Sequence, residues 1–359
     1  MHIILPRVPV FQNKMKRFLL SLVSTFYLLV ISAQLPAEVA AYYQPADGKK
    51  GAELKTALFQ IISPHTVQSY TPGVWNAINS YDIREDGKIW EIYSAISNFT
   101  PVVDQDKGQE CDEGVKYNRE HALPKSWFNE DKSDKDYPMY TDLHHLFPTD
   151  RNVNEIRSNY PYGEVGEVSK QSKEGFSKLG TCVDSIGYTV ANRPGVVFEP
   201  NDLYKGDLAR AYFYMATCYE AYKNGFGKDR SLKDWSSPML SGNVYPFFTD
   251  WALKMLLRWA ANDPVSEKET NRNNAIFAIQ KNRNPFVDYP GLEQYIWGNM
   301  TDVAFSSDNY QPVSTGISSP HKHIFHDTDD TLYNLQGQRV NAKSPRKGIY
   351  IRKGRKVIK

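Results

Sequence analysis

One stretch of the chain, residues 117–163, limits what the rest can be. It opens with Tyr117-Asn118-Arg119-Glu120-His121, passes through Asp142-Leu143-His144-His145 and ends in Asn152-Val153-Asn154-Glu155-Ile156-Arg157-Ser158-Asn159-Tyr160-Pro161-Tyr162-Gly163. Three His, three Arg, several carboxylates and a run of Asn fall within it. Hard oxygen ligands, an imidazole that titrates near neutrality and guanidinium groups shaped for phosphate are the parts of a metal-and-base site. Adjacent strand residues point to opposite faces. Glu120 and His121 therefore share a site only at a strand end, a bend or across a cleft. Pro124 supports an irregular turn just after them. A lone Glu-His pair reads more readily as a solvated loop, so the neighbouring residues have to tip the balance.

They do. Thr149 or Asp150 is placed to cap a short helix carrying Asn154 and Arg157 one turn apart on one face. An Asn carbonyl can ligate a hard cation there, and an Arg beside it can hold a phosphate oxygen. His144-His145 lacks the spacing of a helical zinc site. We expect one of the two to be buried and hydrogen-bonded, and zinc held by His121, His144 and His145 is the competing reading.

The remaining chain bounds these options. At 359 residues it can bury a large core, as one big domain or two. Residues 1–41 read as a secretory signal. Lys14, Lys16 and Arg17 precede an apolar run, 18–31, that is short for a membrane span, and cleavage is expected after Ala33 or Ala41. Met15 is an alternative start, and an uncleaved anchor is the competing reading. The net charge of +2 hides an asymmetry. Residues 1–40 hold four basic and one acidic residue, and 331–359 hold nine basic and none acidic. That leaves thirty basic and forty acidic residues between them, a net of −10. A broad basic surface for nucleic acid is excluded, so any phosphate chemistry rests on a local cluster and a metal. Of three cysteines, Cys218 lies in a helical apolar stripe, and Cys111 with Cys182 is the expected pair.

Helical periodicity predicts helices over 53–62, from a Thr71-Pro72 start toward Ser80, and from an Asp207 cap through Leu208, Ala211, Tyr212, Met215 and Cys218. It also predicts one from a Thr249 cap with Leu253, Leu256, Leu257 and Ala260 inward, and one opening at Asp263-Pro264. Residues 99–116 read as a loop, and 164–205 as loops and brief strands including 195–198. Residues 301–330 read as a linker, and 331–359 as a small β appendage with a Lys353-Gly354 turn.

Several motifs taken in order resemble the endonuclease I family, secreted or periplasmic nucleases of the His-Me finger (ββα-metal) superfamily. They are Asn118-Arg119-Glu120-His121, Pro124-Lys125-Ser126-Trp127-Phe128, Thr141-Asp142-Leu143-His144-His145-Leu146, Pro148-Thr149-Asp150, Val153-Asn154 and Arg157-Ser158-Asn159-Tyr160-Pro161. Lys205-Gly206-Asp207-Leu208-Ala209-Arg210, Asn271-Arg272-Asn273 and Asn282-Arg283-Asn284-Pro285-Phe286 extend the likeness to roughly residues 50–298. The resemblance implies an α+β fold: a mainly helical domain, 42–300, around a ββα-metal unit. It implies one Mg²⁺, or Mn²⁺ or Ca²⁺ in its place, held by Glu120 and Asn154, with His121 as general base and Arg157 steadying phosphate. Arg119 joins the substrate-binding set. The family's arginine near the scissile phosphate has only Lys132 and Lys135 to stand for it between Trp127 and Asp142. The implied substrate is DNA, with RNA as a second, cut without sequence preference by a monomer that spans no membrane. The tail resembles the sorting domains of type IX secretion cargo. It implies export through that machinery, to the surface or surroundings of a Gram-negative bacterium or to its periplasm. A basic arm for nucleic acid is the tail's other reading. For the whole chain the alternative is an inactive, surface-attached nucleic-acid-binding protein.

Overall fold

The computed structural model describes residues 36–128, 138–183, 187–220 and 237–312, and four short strands between 332 and 358. The architecture is α+β, with helices packed around small antiparallel sheets. At its centre lies the helix Lys205–Cys218, buried along its whole length. Its apolar stripe is the predicted one, but its polar residues are also inside because each finds a partner. Lys205 binds Glu199 and Asp202, and Arg210 binds Asp207 and Glu269. Unpaired, such charges would exclude the helix from the core.

The other predicted helices form, with shifted starts. Gly51–Ile62 lays Leu54, Leu58 and Ile62 on the core. The helix Gly73–Tyr81 starts after Pro72, which has no capping side chain, and the Gly73 amide donates to Ser69 Oγ. Asp207 is no cap but sits in the first turn, facing Arg210 at 3.2 Å. In Asp250–Asn262 the inward residues are Ala252, Met255, Leu256, Trp259 and Ala260. Leu253 and Leu257 are partly buried at the edge of that face. The next helix, Glu267–Gln280, opens three residues past Asp263-Pro264. There Ser266 and Glu269 form a reciprocal capping box that outcompetes the proline signal.

Residues 164–205 hold more strand than expected. Val165–Gln171, Lys178–Cys182 and Val196–Glu199 pair as one antiparallel sheet. The expected Cys111–Cys182 disulfide is not formed, and all three cysteines are free. Cys182 Sγ donates to Tyr188 O in its own loop, while the Cys111 carbonyl accepts from Asn152 Nδ2 near the 117–163 site. The packed body also runs past residue 300 into the region whose Ser- and Asp-rich composition reads as linker. Phe305 is buried, Ser307 N donates to Asp47 Oδ1 at 2.7 Å and Tyr310 Oη donates to Pro290 O at 2.8 Å. In the tail, Ile349–Arg352 and Arg355–Ile358 pair antiparallel, Leu332–Tyr333 and Arg339–Val340 complete a four-stranded sheet, and the predicted Lys353-Gly354 turn lies outside the described residues. The apolar run 18–31 lies outside the described residues. Among those described, no helix is long and apolar enough to cross a membrane.

Candidate active site

Two strands, β1 (Tyr117–His121) and β2 (Leu146–Asp150), pair antiparallel with Glu120 opposite Phe147 and His121 opposite Leu146. Asp150 ends β2 and caps the helix Arg151–Arg157. Its Oδ1 accepts from the amides of Asn152 and Val153, and its Oδ2 from Gly114 N at 2.7 Å. Its own amide donates to Glu91 Oε2, which also receives Tyr93 N. Burial pushes Glu91 up to about 7 against these backbone donors. The strand-to-helix turn is thus pinned from both sides. One turn into the helix, Asn154 Nδ2 donates to Asn118 Oδ1 on β1 at 2.8 Å, which leaves the Asn154 carbonyl oxygen as its open end.

Glu120 sits at the end of β1, buried. Two donors converge on its Oε1, the Tyr93 hydroxyl at 2.8 Å and Arg157 Nη1. Tyr93 in turn shares a 2.5 Å hydrogen bond with the Tyr162 hydroxyl, and the Arg157 guanidinium lies 4.6 Å from the Tyr162 ring centroid. Burial raises the Glu120 pKa, with Arg157, Tyr93 and Asn154 pulling it down. Burial works against the Arg157 charge, yet Glu120 holds its pKa above the usual guanidinium value. Arg157 is only 1 % exposed. Its Nη1 also reaches His121 O at 2.9 Å, and its Nη2 reaches Ala122 O at 2.6 Å. This side chain braces the Glu120-His121-Ala122 segment from behind.

His121 turns Nε2 to the Tyr140 carbonyl at 2.9 Å. A carbonyl oxygen only accepts, so Nε2 carries the proton and the neutral ring presents a bare Nδ1. Burial and then His145 hold its pKa well below the ordinary imidazole value, with smaller pushes from Lys125 and Arg119. The ring lies in an aromatic nest, 6.1 Å from Tyr70 in a stacked orientation and 4.8 Å from Tyr140.

Arg119, Glu120, His121, Asn154 and Arg157 all line one open cleft of about 510 Å³, so the structure brings these predicted residues together. Lys132 and Lys135 lie outside the described residues. His144 and His145 do not line the cleft. Both are buried, and each turns Nε2 to a carbonyl, Asn282 O at 3.3 Å and Met139 O at 2.6 Å. Burial lowers both to a pKa of about 4, against the pull of Asp142. One buried histidine was expected; the adjacent Leu143–His145 turn buries two. The donor atoms of His65, Asp142 and Cys218 fall within 4.8 Å of one another. Asp142 is already filled, with His144 N and Gln280 Nε2 on Oδ1 and the Tyr214 and Tyr219 hydroxyls on Oδ2. Sequence reading missed Tyr93, Tyr70 and Tyr140. No local signal marks them, because each reaches the site across the fold. Lys125, which also lines the cleft, stood within a quoted motif but received no role.

A sequence profile of the family described as Endonuclease I matches residues 50–291. The chain belongs to the endonuclease I family. It is an endonuclease, and its substrate is nucleic acid. An extracellular ribonuclease of Bacillus amyloliquefaciens is 34% identical over 262 residues, covering 73% of this chain and 79% of that protein. An endonuclease-1 of Buchnera aphidicola subsp. Baizongia pistaciae is 29% identical over 181 residues, 47% of this chain and 60% of the relative. An extracellular deoxyribonuclease of Aeromonas hydrophila is 26% identical over 157 residues, 44% and 53% respectively. For this endonuclease I family member, the motifs around Glu120, His121 and Asn154 fall inside the matched region.

Proposed function

We propose that this protein is a secreted endonuclease that hydrolyses phosphodiester bonds of DNA and RNA without sequence preference. It uses His121 as general base and one divalent cation, Mg²⁺ or Mn²⁺ or Ca²⁺ in its place, held by Glu120 and Asn154. The observation that carries this reading is the His121 tautomer. Tyr140 O fixes the proton on Nε2, and burial keeps the ring neutral, so Nδ1 is ready to accept a proton from water. The donor set fits a hard cation. Glu120 and Asn154 both line the cleft, and each would ligate through a side-chain oxygen. When bound, such a cation supplies positive charge for the phosphate oxygens and the leaving oxygen. β1, β2 and the Arg151–Arg157 helix would then form the ββα-metal unit. Arg157 acts here by positioning Glu120 and the His121 backbone, and Arg119 binds substrate.

Two relatives carry the names ribonuclease and deoxyribonuclease, which supports both substrates, and their extracellular description supports secretion. A signal cut after Ala33 is favoured, since Val39 and Ala40 pack in the core and a cut after Ala41 would remove them. The mass of the secreted protein checks this. The tail would direct export through the type IX route of a Gram-negative bacterium, as a monomer. The zinc reading finds less support, because His144 and His145 do not line the cleft that holds His121.

Digestion of plasmid DNA and of a structured RNA tests the proposal. EDTA is expected to abolish cleavage, and His121→Ala to lower the rate at least about 10²-fold, the scale of general-base help. Full cleavage in either arm would refute the mechanism. Oligonucleotide binding with no cleavage in any of the three cations would favour the inactive binding protein.

A further inference from the structure

The region between signal and tail carries a net charge of −10, yet the substrate is a polyanion. Any grip on it has to come from a few cations left free of acidic partners. Among the described residues, four cationic side chains line the cleft: Arg119, Lys125, Arg151 and Arg157. Two are neutralised within the protein. Arg151 lies 3.4 Å from Asp106 and 3.1 Å from Glu155, and Arg157 is paired with Glu120. Among the described residues, Arg119 and Lys125 have no carboxylate within ion-pair distance.

Arg119 is instead set on aromatic rings, and Lys125 against a tyrosine hydroxyl. The Arg119 guanidinium carbon lies 3.5 Å from the Tyr70 ring centroid and 4.2 Å from that of Trp75. Its Nη1 is anchored on Tyr70 O and Thr71 Oγ1; among the described residues the rest of the fork has no acceptor. Lys125 Nζ donates to the Tyr140 hydroxyl at 3.3 Å and lies 5.5 Å from that ring centroid, so among the described residues two of its three N–H groups have no acceptor. Tyr70 and Tyr140 meet edge to face at 4.8 Å, and both flank His121. An aromatic seat holds a cation in place while keeping its charge unneutralised, and it lowers the entropy lost when the cation takes a ligand.

We propose that Lys125 and Arg119 form a two-point clamp on the nucleic-acid backbone beside His121, each taking one phosphate, with Tyr70 and Tyr140 as their seats. This rests on the nuclease reading and supplies the phosphate contact for which Lys132 and Lys135 were the sequence candidates. The clamp reads no base, so its contribution is equal on every sequence.

Salt dependence of binding tests it, measured by fluorescence anisotropy on a labelled single-stranded oligonucleotide in EDTA, where cleavage does not interfere. Each phosphate contact contributes about −0.7 to the slope of log K against log salt on single strands and about −0.9 on duplex. Lys125→Ala and Arg119→Ala are each expected to make the slope shallower by about that amount, by the same margin on oligonucleotides of different sequence. Lys125→Arg is expected to keep the wild-type slope. Lys125 is exposed, so its variants test the clamp without disturbing the core. An unchanged slope in Lys125→Ala, or a loss confined to one sequence, would overturn the clamp. His121→Ala is expected to keep the slope while losing cleavage. If it kept both, the base assignment would fail while the clamp stood.

Discussion

Replacing Arg157 by Met separates a buried brace from a phosphate ligand. The guanidinium is enclosed and makes three contacts, to Glu120 Oε1, His121 O and Ala122 O. Methionine matches much of its length but donates nothing. Glu120 would then be a buried carboxylate with Tyr93 as its remaining strong donor, and breaking one side of a buried ion pair costs about 3–5 kcal/mol. Ala122 O keeps the Tyr212 hydroxyl at 3.0 Å, so only His121 O loses this donor, which adds about 1–3 kcal/mol when no water replaces it. Most of the loss therefore lies in the unpaired charge. It should be recovered in part by the double variant Arg157→Met/Glu120→Gln, with a coupling of about 2 kcal/mol or more between the two sites. The assay is urea unfolding of the four proteins, read as a shift in midpoint at constant slope. A loss below about 1 kcal/mol in the single variant, or a double variant no more stable than the single, would refute the brace. The same single variant should leave the salt slope of oligonucleotide binding unchanged. A slope about 0.7 shallower would instead mean that Arg157 takes a phosphate.

Three further outcomes are expected. Tyr93→Phe removes the hydroxyl that fixes Glu120 Oε1 and should weaken Mn²⁺ binding about 10–100-fold by calorimetry, with a parallel rise in the metal needed for half-maximal cleavage; unchanged affinity would remove Tyr93 from the site. His144 and His145 have folded pKa values near 4, below the unfolded 6.5, so their contribution is complete above pH 6.5 and is lost as pH falls toward 4. That is roughly 3 kcal/mol for each, visible as a falling urea midpoint between pH 7 and 4.5; a flat profile would contradict it. Gly206→Ala would place a Cβ 2.0 Å from the Asp263 carbonyl oxygen, forcing the start of the central helix away from the 263 turn. A loss of about 2 kcal/mol or more is expected in thermal unfolding, and a neutral result would mean that the turn yields freely.

The parts of the site that follow from local rules were legible in the sequence. Asp150 caps the short helix, the helical period sets Asn154 and Arg157 one turn apart, and Glu120 with His121 falls at a strand end where both can serve one cleft. The central helix was legible for the same reason, since its apolar residues recur at 3.6. Boundaries slipped where two local signals competed, as at Asp263-Pro264 against the Ser266–Glu269 box.

What tertiary structure alone decided is where each charge goes. Arg157 carries the side chain of a phosphate ligand, and nothing in its spacing says that it turns inward. Burial beside Glu120 makes it a brace. Arg119 and Lys125 look no more available in the sequence than Arg151, which has carboxylate partners while they have none among the described residues. Tyr93 meets Glu120 across 27 residues, and the hydrogen bond between them has no trace in either neighbourhood. The sequence alone determines chemistry that repeats along a helix or strand, because backbone geometry sets it. Which charges are buried, paired or left free depends on surfaces that meet only when distant segments pack, and that is where the work of this site was divided.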